Sequence, residues 1–307
     1  MQTYPNIDYI FVDNGSTDGS VDILRETVSH YTDRQSRVKI IENGINRGAA
    51  TARNQGIDVS TGDYVMFADS DDYVDADCVE TLVAEAEKNN ADIVYCNYYE
   101  TDERYGDKLT NQNCGIEPIG CICCMFTGEM HGSTGNKLYR KRFLIHAGQR
   151  FVDGADLCED VGWNLRLMAC NPKLAYVPKA FYHYVQFNPH SITQSLAYCS
   201  FSRSRCLQRI KNVDVACRFI EEKGMMSIEK IRKSSRQWKL LAKDGLIGDN
   251  IYSLKRWMVT FPEADSEIWR CKKLTLNLRL LLTWLHLRWG CLYRFQKMMT
   301  KIVQRIM

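Results

Sequence analysis

Proline and glycine are scarce, at 6 and 19 of 307 residues. That scarcity excludes a collagenous, linker-like or low-complexity chain. Long apolar runs are missing too. Within the C-terminal part the longest uncharged stretch is 280–287, far short of the ~20 residues a membrane-spanning helix needs. The opening Met1-Gln2-Thr3-Tyr4-Pro5 has neither a basic n-region nor an apolar h-region. The expectation is therefore no secretory leader and thiols kept reduced in a cytosol. No Gly-rich, Lys-bearing phosphate loop stands near the start. No basic, aromatic-rich recognition element is evident either, so no nucleic-acid partner is expected. Acidic residues are absent after Glu267.

What is present suits one large core or two modest ones: 45% hydrophobic and 25% charged residues. The net charge of +3 conceals an asymmetry. Residues 1–130 hold 9 Lys/Arg against 24 Asp/Glu, whereas 131–307 hold 31 against 13. An acidic front suits cations, and a basic back suits phosphate or an anionic membrane surface. Among the 13 cysteines, Cys121, Cys123 and Cys124 form Cys-x-Cys-Cys. This lacks the paired Cys-x2-Cys spacing of a structural zinc site and reads as buried thiols. The sequon Asn14-Gly15-Ser16 reads as a chance match.

Four β-branched or aromatic runs, 7–12, 38–41, 64–68 and 93–97, have strand length and alternate with helical patterns over 20–30, 49–58 and 76–89. Asp18 and Asp75 are placed to cap the first and third helices. Strand–helix–strand at this spacing predicts βαβ units and a mostly parallel sheet, with ligands at the carboxyl ends of the strands. Residues 100–135 read as a long loop, 163–168 as a helix, and 174–177 with 181–185 as strands. From about Ser195 the pattern is helical. Two units are expected: 1–195, and a helical, basic region over 196–307.

After Glu267 nine positive charges accumulate, and Arg294, Lys297, Lys301 and Arg305 recur three or four apart. Phe295, Met299, Ile302 and Ile306 follow the same spacing on another face. A basic, amphipathic helix of this kind is expected to lie on anionic lipid as a peripheral contact.

The sharpest motif is Phe67-Ala68-Asp69-Ser70-Asp71-Asp72, directly after the third strand run. Three carboxylates at a strand end repel one another unless a cation or strong donors sit there. Hard divalent ions take oxygen ligands, keep waters and bridge substrate phosphates. An Asp-x-Asp here reads as a clamp for a metal and a diphosphate, or else as an acidic turn capping the next helix. A metal-dependent nucleotidyltransferase would also use such a clamp.

The motif has company. Asp13-Asn14-Gly15-Ser16-Thr17-Asp18 ends the first strand, and Asn46-Arg47-Gly48 with Ala52-Arg53-Asn54-Gln55-Gly56 follows. Together these blocks resemble glycosyltransferase family 2, the inverting nucleotide-sugar enzymes of GT-A fold. Gly135-Asn136-Lys137-Leu138-Tyr139-Arg140, Cys158-Glu159-Asp160-Val161 and Tyr182-His183-Tyr184 continue the resemblance, which covers about residues 1–195. It implies an α/β, Rossmann-like GT-A domain, a mostly parallel mixed sheet flanked by helices, with a helical C-terminal region. It also implies transfer of a hexose or N-acetylhexosamine from a UDP-sugar or other nucleotide-sugar donor to a glycan or lipid-linked acceptor. The setting would be bacterial cell-surface polysaccharide synthesis, in the cytoplasm at the inner face of the membrane.

The resemblance assigns roles to matching positions. Asp13 and Asn14 would meet the base and ribose, Arg53 would line the nucleotide pocket, and Asp69 with Ser70 would contact ribose or sugar. Asp71 would ligate Mn²⁺ or Mg²⁺, with His183 a candidate further ligand and His190 considered beside it. Asp160 would be the general base. Trp163 is read as core. Two departures accompany the match: the family's leading strand and helix would precede residues 2–6, and Asn14 stands where many members carry Asp. The first raises the alternative of an inactive partner subunit.

Overall fold

The computed structural model describes residues 2–188, 203–247 and 251–287. Its first unit pairs β1 (Tyr9–Asp13) in parallel with β2 (Val38–Glu42), joined through α1 (Ser20–Ser29). Both strands are only half-buried, and no residue of α1 is buried. Then come α2 (Ala49–Val59), β3 (Tyr64–Met66), β4 (Tyr73–Val74) and α3 (Cys78–Asn89).

The central strand is β5 (Ile93–Asp102), whose first six residues are all buried. It is flanked by β7 (Lys137–Arg140), antiparallel, and β8 (Leu174–Val185), parallel. β3 and β4 close the path as β3-β7-β5-β8-β4, and β6 (Gly106–Thr110) folds back on the far half of β5. A strand covered on both faces reads as a continuous apolar run, which Ile93, Val94, Tyr95 and Cys96 supply. Helix α3 covers one face with Cys78, Leu82 and Ala86, four residues apart, against Val94, Cys96 and Phe181. The other face is covered by α4 (Pro118–Thr127) and α6 (Glu159–Ala169), with α5 (Lys141–Ala147) after β7.

The later helices are α7 (Arg203–Glu222), α8 (Glu229–Ala242), α9 (Ile251–Val259) and α10 (Leu276–His286). Val213, Ala216 and Ile220 of α7 and Trp238 of α8 enter the same core as Phe126 and Trp163. Leu240, Trp257, Ile268 and Leu282 form a second cluster. No helix among the described residues is long and apolar enough to cross a membrane. The expected boundary near residue 195, His190, and the amphipathic stretch 294–306 lie outside the described residues.

The α/β class holds, with fewer parallel pairings than the element spacing predicts: β1/β2 and β5/β8 are parallel, and the other four described pairings are antiparallel. Residues 100–135 form the end of β5, β6 and α4 rather than a loop. The two expected strands at 174–185 are one, interrupted where the register jumps from Cys96↔Val177 to Asn97↔Ala180. Pro178 lies in that jump and has no N–H to give a ladder. Asp75 does not cap α3. Its carboxylate faces His183, and Asp77 occupies the N-cap position instead.

Candidate active site

The carboxyl end of β1 is a tight turn organised by its own side chain. Asp13 accepts from the Gly15 and Ser16 amides at 3.1 and 3.2 Å. The Ser16 hydrogen bonds hold its carboxyl below the usual carboxylate range. Asn14 turns to the next loop: Nδ2 donates to Asn46 Oδ1 at 3.1 Å, and Oδ1 accepts from the Arg47 amide at 3.0 Å. Helix α2 then starts at Gly48, whose φ of 86° suits glycine. A Cβ there would lie 2.2 Å from Asp156 Oδ2. Asp156 instead accepts from the Ala50 amide at 2.9 Å, so it serves the start of α2 from a distant loop.

The acidic turn after β3 is pinned by β8. The Tyr182 hydroxyl accepts from the Asp69 amide at 3.2 Å and donates to Asp72 Oδ2 at 2.5 Å. Asp72 Oδ1 accepts from the Val185 amide at 2.9 Å. Burial and the neighbouring Asp69 and Asp71 raise the Asp72 pKa to about 6, against the hydrogen bonds that favour its ionised form. Asp69, Ser70 and Asp71 remain exposed, and Asp71 accepts from Asn188 Nδ2 at 3.0 Å.

Helix α6 brings Glu159 and Asp160 to this turn. Arg53, on α2, donates through Nη2 to Asp69 at 2.8 Å and through Nη1 to Glu159 at 2.5 Å. Its guanidinium lies over the Phe151 ring, 5.7 Å from the centroid. Burial works against its charge, but Asp69, Glu159 and Asp160 outweigh it and hold the pKa above the ordinary arginine value. Glu159 is pushed up to about 7, by burial first and the Asp160 charge second. Asp160 is half-buried and accepts from the Val161 amide at 2.7 Å. Trp163, one turn on, is fully buried among Phe67, Tyr139 and Phe151 and donates to the Gln149 carbonyl.

The 131–137 turn joins the acidic turn to α6. Lys137 is fully buried, and its ammonium donates to the His131 and Ser133 carbonyls and to Asn136 Oδ1 at 3.2, 2.5 and 2.8 Å. Desolvation lowers its pKa to about 8, opposed mainly by Asp160. Asn164 donates to the Gly132 carbonyl at 2.8 Å and accepts from Tyr139 at 2.9 Å. A Cβ on Gly132 would sit 2.6 Å from Val161 Cγ2, and one on Gly135 would sit 2.3 Å from the Tyr182 ring. The turn therefore touches the residue after Asp160 and the tyrosine that fixes Asp69 and Asp72.

Comparison with known proteins bears on this arrangement. Residues 1–148 match the family model Glycosyl transferase family 2. Arg53 and Asp69 lie inside the matched stretch, and Glu159 and Asp160 lie beyond it. The matched stretch, just under half of the chain, is similar to glycosyltransferase family 2. It is 41% identical over 121 residues to the glycosyltransferase GlyG of Streptococcus pneumoniae, covering 38% of this chain and 39% of that one. It is 36% identical over 98 residues to WfaP of Escherichia coli, a UDP-Glc:alpha-D-GlcNAc-diphosphoundecaprenol beta-1,3-glucosyltransferase, covering 32% and 37%. The chain thus spans well under two thirds of either relative. TarS 1-349 of S. aureus in complex with UDP-GlcNAc superposes with a TM-score of 0.64 at 16% identity, covering 98% of this chain and 84% of that one. The fold is GT-A.

The structure gathers Arg53, Asp69, Glu159 and Asp160, with Asp71 and Ser70 on the adjoining exposed turn. Asp13 and Asn14 stand at the β1 end and are engaged with their own turn and the 43–48 loop. His183 points elsewhere. Side chains alternate along a strand, and its ring stacks between Tyr73 and Tyr99, with Nε2 facing Asp75 at 3.3 Å and Nδ1 facing Asp107 at 3.4 Å.

The acidic turn offers oxygen donors of the kind a hard divalent ion takes. Among the described residues no three His, Cys, Asp or Glu converge on one point. Asp71 offers a carboxylate on an exposed turn, and Mg²⁺ or Mn²⁺ commonly completes its shell with substrate phosphate oxygens and water. Asp71 fits that arrangement; Asp72 is committed to Tyr182 and Val185.

Proposed function

We propose that this chain transfers a sugar from a nucleotide-diphosphate donor, a UDP-sugar, to a glycan or lipid-linked acceptor during synthesis of a bacterial cell-surface polysaccharide. The observation that carries this reading is the single guanidinium of Arg53 shared by Asp69 and Glu159. It brings the donor-side turn and the carboxylate pair of α6 together, as a displacement at an anomeric carbon requires. The relatives lend support, since TarS is bound to UDP-GlcNAc and WfaP acts on a diphosphoundecaprenol-linked sugar.

In this mechanism Asp13 and Asn14 border the nucleoside, and Arg53, Asp69 and Ser70 line the nucleotide-sugar pocket. Asp71 would hold Mn²⁺ or Mg²⁺, which supplies positive charge to the leaving diphosphate. Asp160 takes the proton from the acceptor hydroxyl as the acceptor oxygen bonds the anomeric carbon and the bond to diphosphate breaks. One displacement inverts the configuration. The nine positive charges after Glu267 support peripheral contact with anionic lipid at the cytoplasmic face, where a lipid-linked acceptor would be met.

A thermal-shift titration with UDP, with and without Mn²⁺, tests the reading. The expected result is a Mn²⁺-dependent rise in Tm that disappears in Asp71→Ala. The same rise with UDP in the presence and absence of Mn²⁺, unchanged by Asp71→Ala, would reject the clamp.

A further inference from the structure

Toward the C-terminal end of α6, a cleft of about 310 Å³ is lined by Gln149, Arg150, Arg166, Val215, Arg218 and Glu222, among others. Three of these are arginines, and their surroundings differ. Arg150 forms a bidentate pair with Asp58, at 2.6 and 2.7 Å. Arg218 is largely exposed and pairs with Asp214 one turn back at 2.8 Å. Arg166 is 3% exposed and has no carboxylate partner among the described residues. Its Nε donates to Gln149 Oε1 at 3.1 Å and its Nη2 to the Arg150 carbonyl at 2.5 Å. Its Nη1 is buried and meets no acceptor among the described residues.

A buried guanidinium keeps its charge in proteins, so its desolvation must be offset by an anion or by hydrogen bonds to every donor. Here the neutral acceptors leave both N–H groups of Nη1 unused, and loss of hydration lowers the pKa to about 10. The planar fork of arginine matches the oxygens of phosphate.

We propose that this cleft binds a phosphate-type oxyanion, with Arg166 as its buried anchor and Arg218 as a second cation at the mouth. Glu222 is the one carboxylate in the lining, and it opposes the ligand. The site is separate from the donor pocket. Arg166 follows Glu159 by seven residues on α6, about 10 Å along the axis and on the same helical face. A bound anion would therefore be felt by the helix that presents Asp160.

The test is a titration of the full chain with inorganic phosphate, sodium chloride holding ionic strength constant, read by hydrogen–deuterium exchange. The expected result is saturable protection of segments 149–152 and 215–222, matched by a rise in Tm. Arg166→Gln should weaken phosphate binding about ten- to a hundred-fold. Arg218→Ala should weaken it a few-fold, and Glu222→Gln should tighten it by about two- to five-fold. Glycerol phosphate in place of inorganic phosphate separates the two sources of the same chemistry. Tighter binding identifies a phosphorylated organic ligand; equal or weaker binding identifies the free ion. Protection confined to residues 69–72, equal protection by chloride, or an unchanged Arg166→Gln would overturn the proposal. Should circular dichroism show Arg166→Gln unfolded, the opposite signs expected for Arg218→Ala and Glu222→Gln decide: equal signs, or no change in either, overturn it.

Discussion

Asp69 and Glu159, distant in sequence and carried by a strand-end turn and a helix start, are held to one another by the two ends of the Arg53 guanidinium, at 2.8 and 2.5 Å. All three side chains matter to the geometry, and Arg53 supplies positive charge to Asp69, Glu159 and Asp160, with the buried Lys137 also acting on Asp160.

Replacing that guanidinium should therefore cost both stability and donor binding. Arg53→Met leaves the buried Glu159 uncompensated and is expected to lower unfolding stability by about 3 kcal/mol. Arg53→Lys restores charge without the planar fork. It should recover part of the stability in urea titrations while the UDP-induced Tm shift stays lost. Wild-type UDP affinity in Arg53→Lys would show that the fork is dispensable.

Glu159 makes stability pH-dependent in a direction opposite to a surface carboxylate. Its folded pKa, about 7, lies above its ordinary 4.5. Between those values the folded chain binds the proton more tightly than the unfolded chain does. The contribution is full below about pH 4.5 and is lost as pH rises through 7. Glu159→Gln, which mimics the protonated form, should flatten this part of the stability–pH profile. An unchanged slope in chemical denaturation across that window would count against the assignment.

Asp160→Asn should separate chemistry from binding. The amide keeps the shape and the bond from the Val161 amide but cannot take a proton. Transfer is expected to fall about 10²- to 10⁴-fold, with UDP affinity by calorimetry within about two-fold. Loss of UDP binding instead would place Asp160 on the donor.

Gly135 and Gly56 offer a contrast. At Gly135 a methyl would meet the Tyr182 ring at 2.3 Å, whereas at Gly56, inside α2, nothing lies within 4 Å. Gly135→Ala should displace Tyr182 from Asp72, costing about 1–3 kcal/mol and most of the transfer rate. Gly56→Ala should add about 0.5–1 kcal/mol and leave transfer unchanged. Thermal unfolding and a transfer assay on the pair would check both.

The early elements were legible because their apolar residues keep a clear period: β2 and α2 fall within a residue or two of the stretches 38–41 and 49–58. The hairpin strand β6 was not, since Gly-Asp-Lys-Leu-Thr is exposed at four of its five positions and has no apolar alternation. The acidic turn, Arg53 and the Glu159-Asp160 pair stand out as motifs. Asp156 stands in no such motif, and the blocks that hold Tyr182 and Lys137 do not reveal their roles, because that work is done through contacts with residues remote in sequence or with backbone carbonyls. His183 illustrates the converse. Its place beside Tyr182 suggests the site, yet strand alternation sends it to the opposite face.

Helix α6 bears on how the chain could diversify. Among its eleven residues, nine are buried, Asp160 and Val161 being the two that are not. Nearly every substitution along it is a packing change before it is anything else. In a library of random variants α6 should stand out as an intolerant band. Change near the proposed site would have to arise in less buried segments such as 186–188. The helix that presents the proposed base is in this sense a fixture, and novelty must be written in the less buried segments around it.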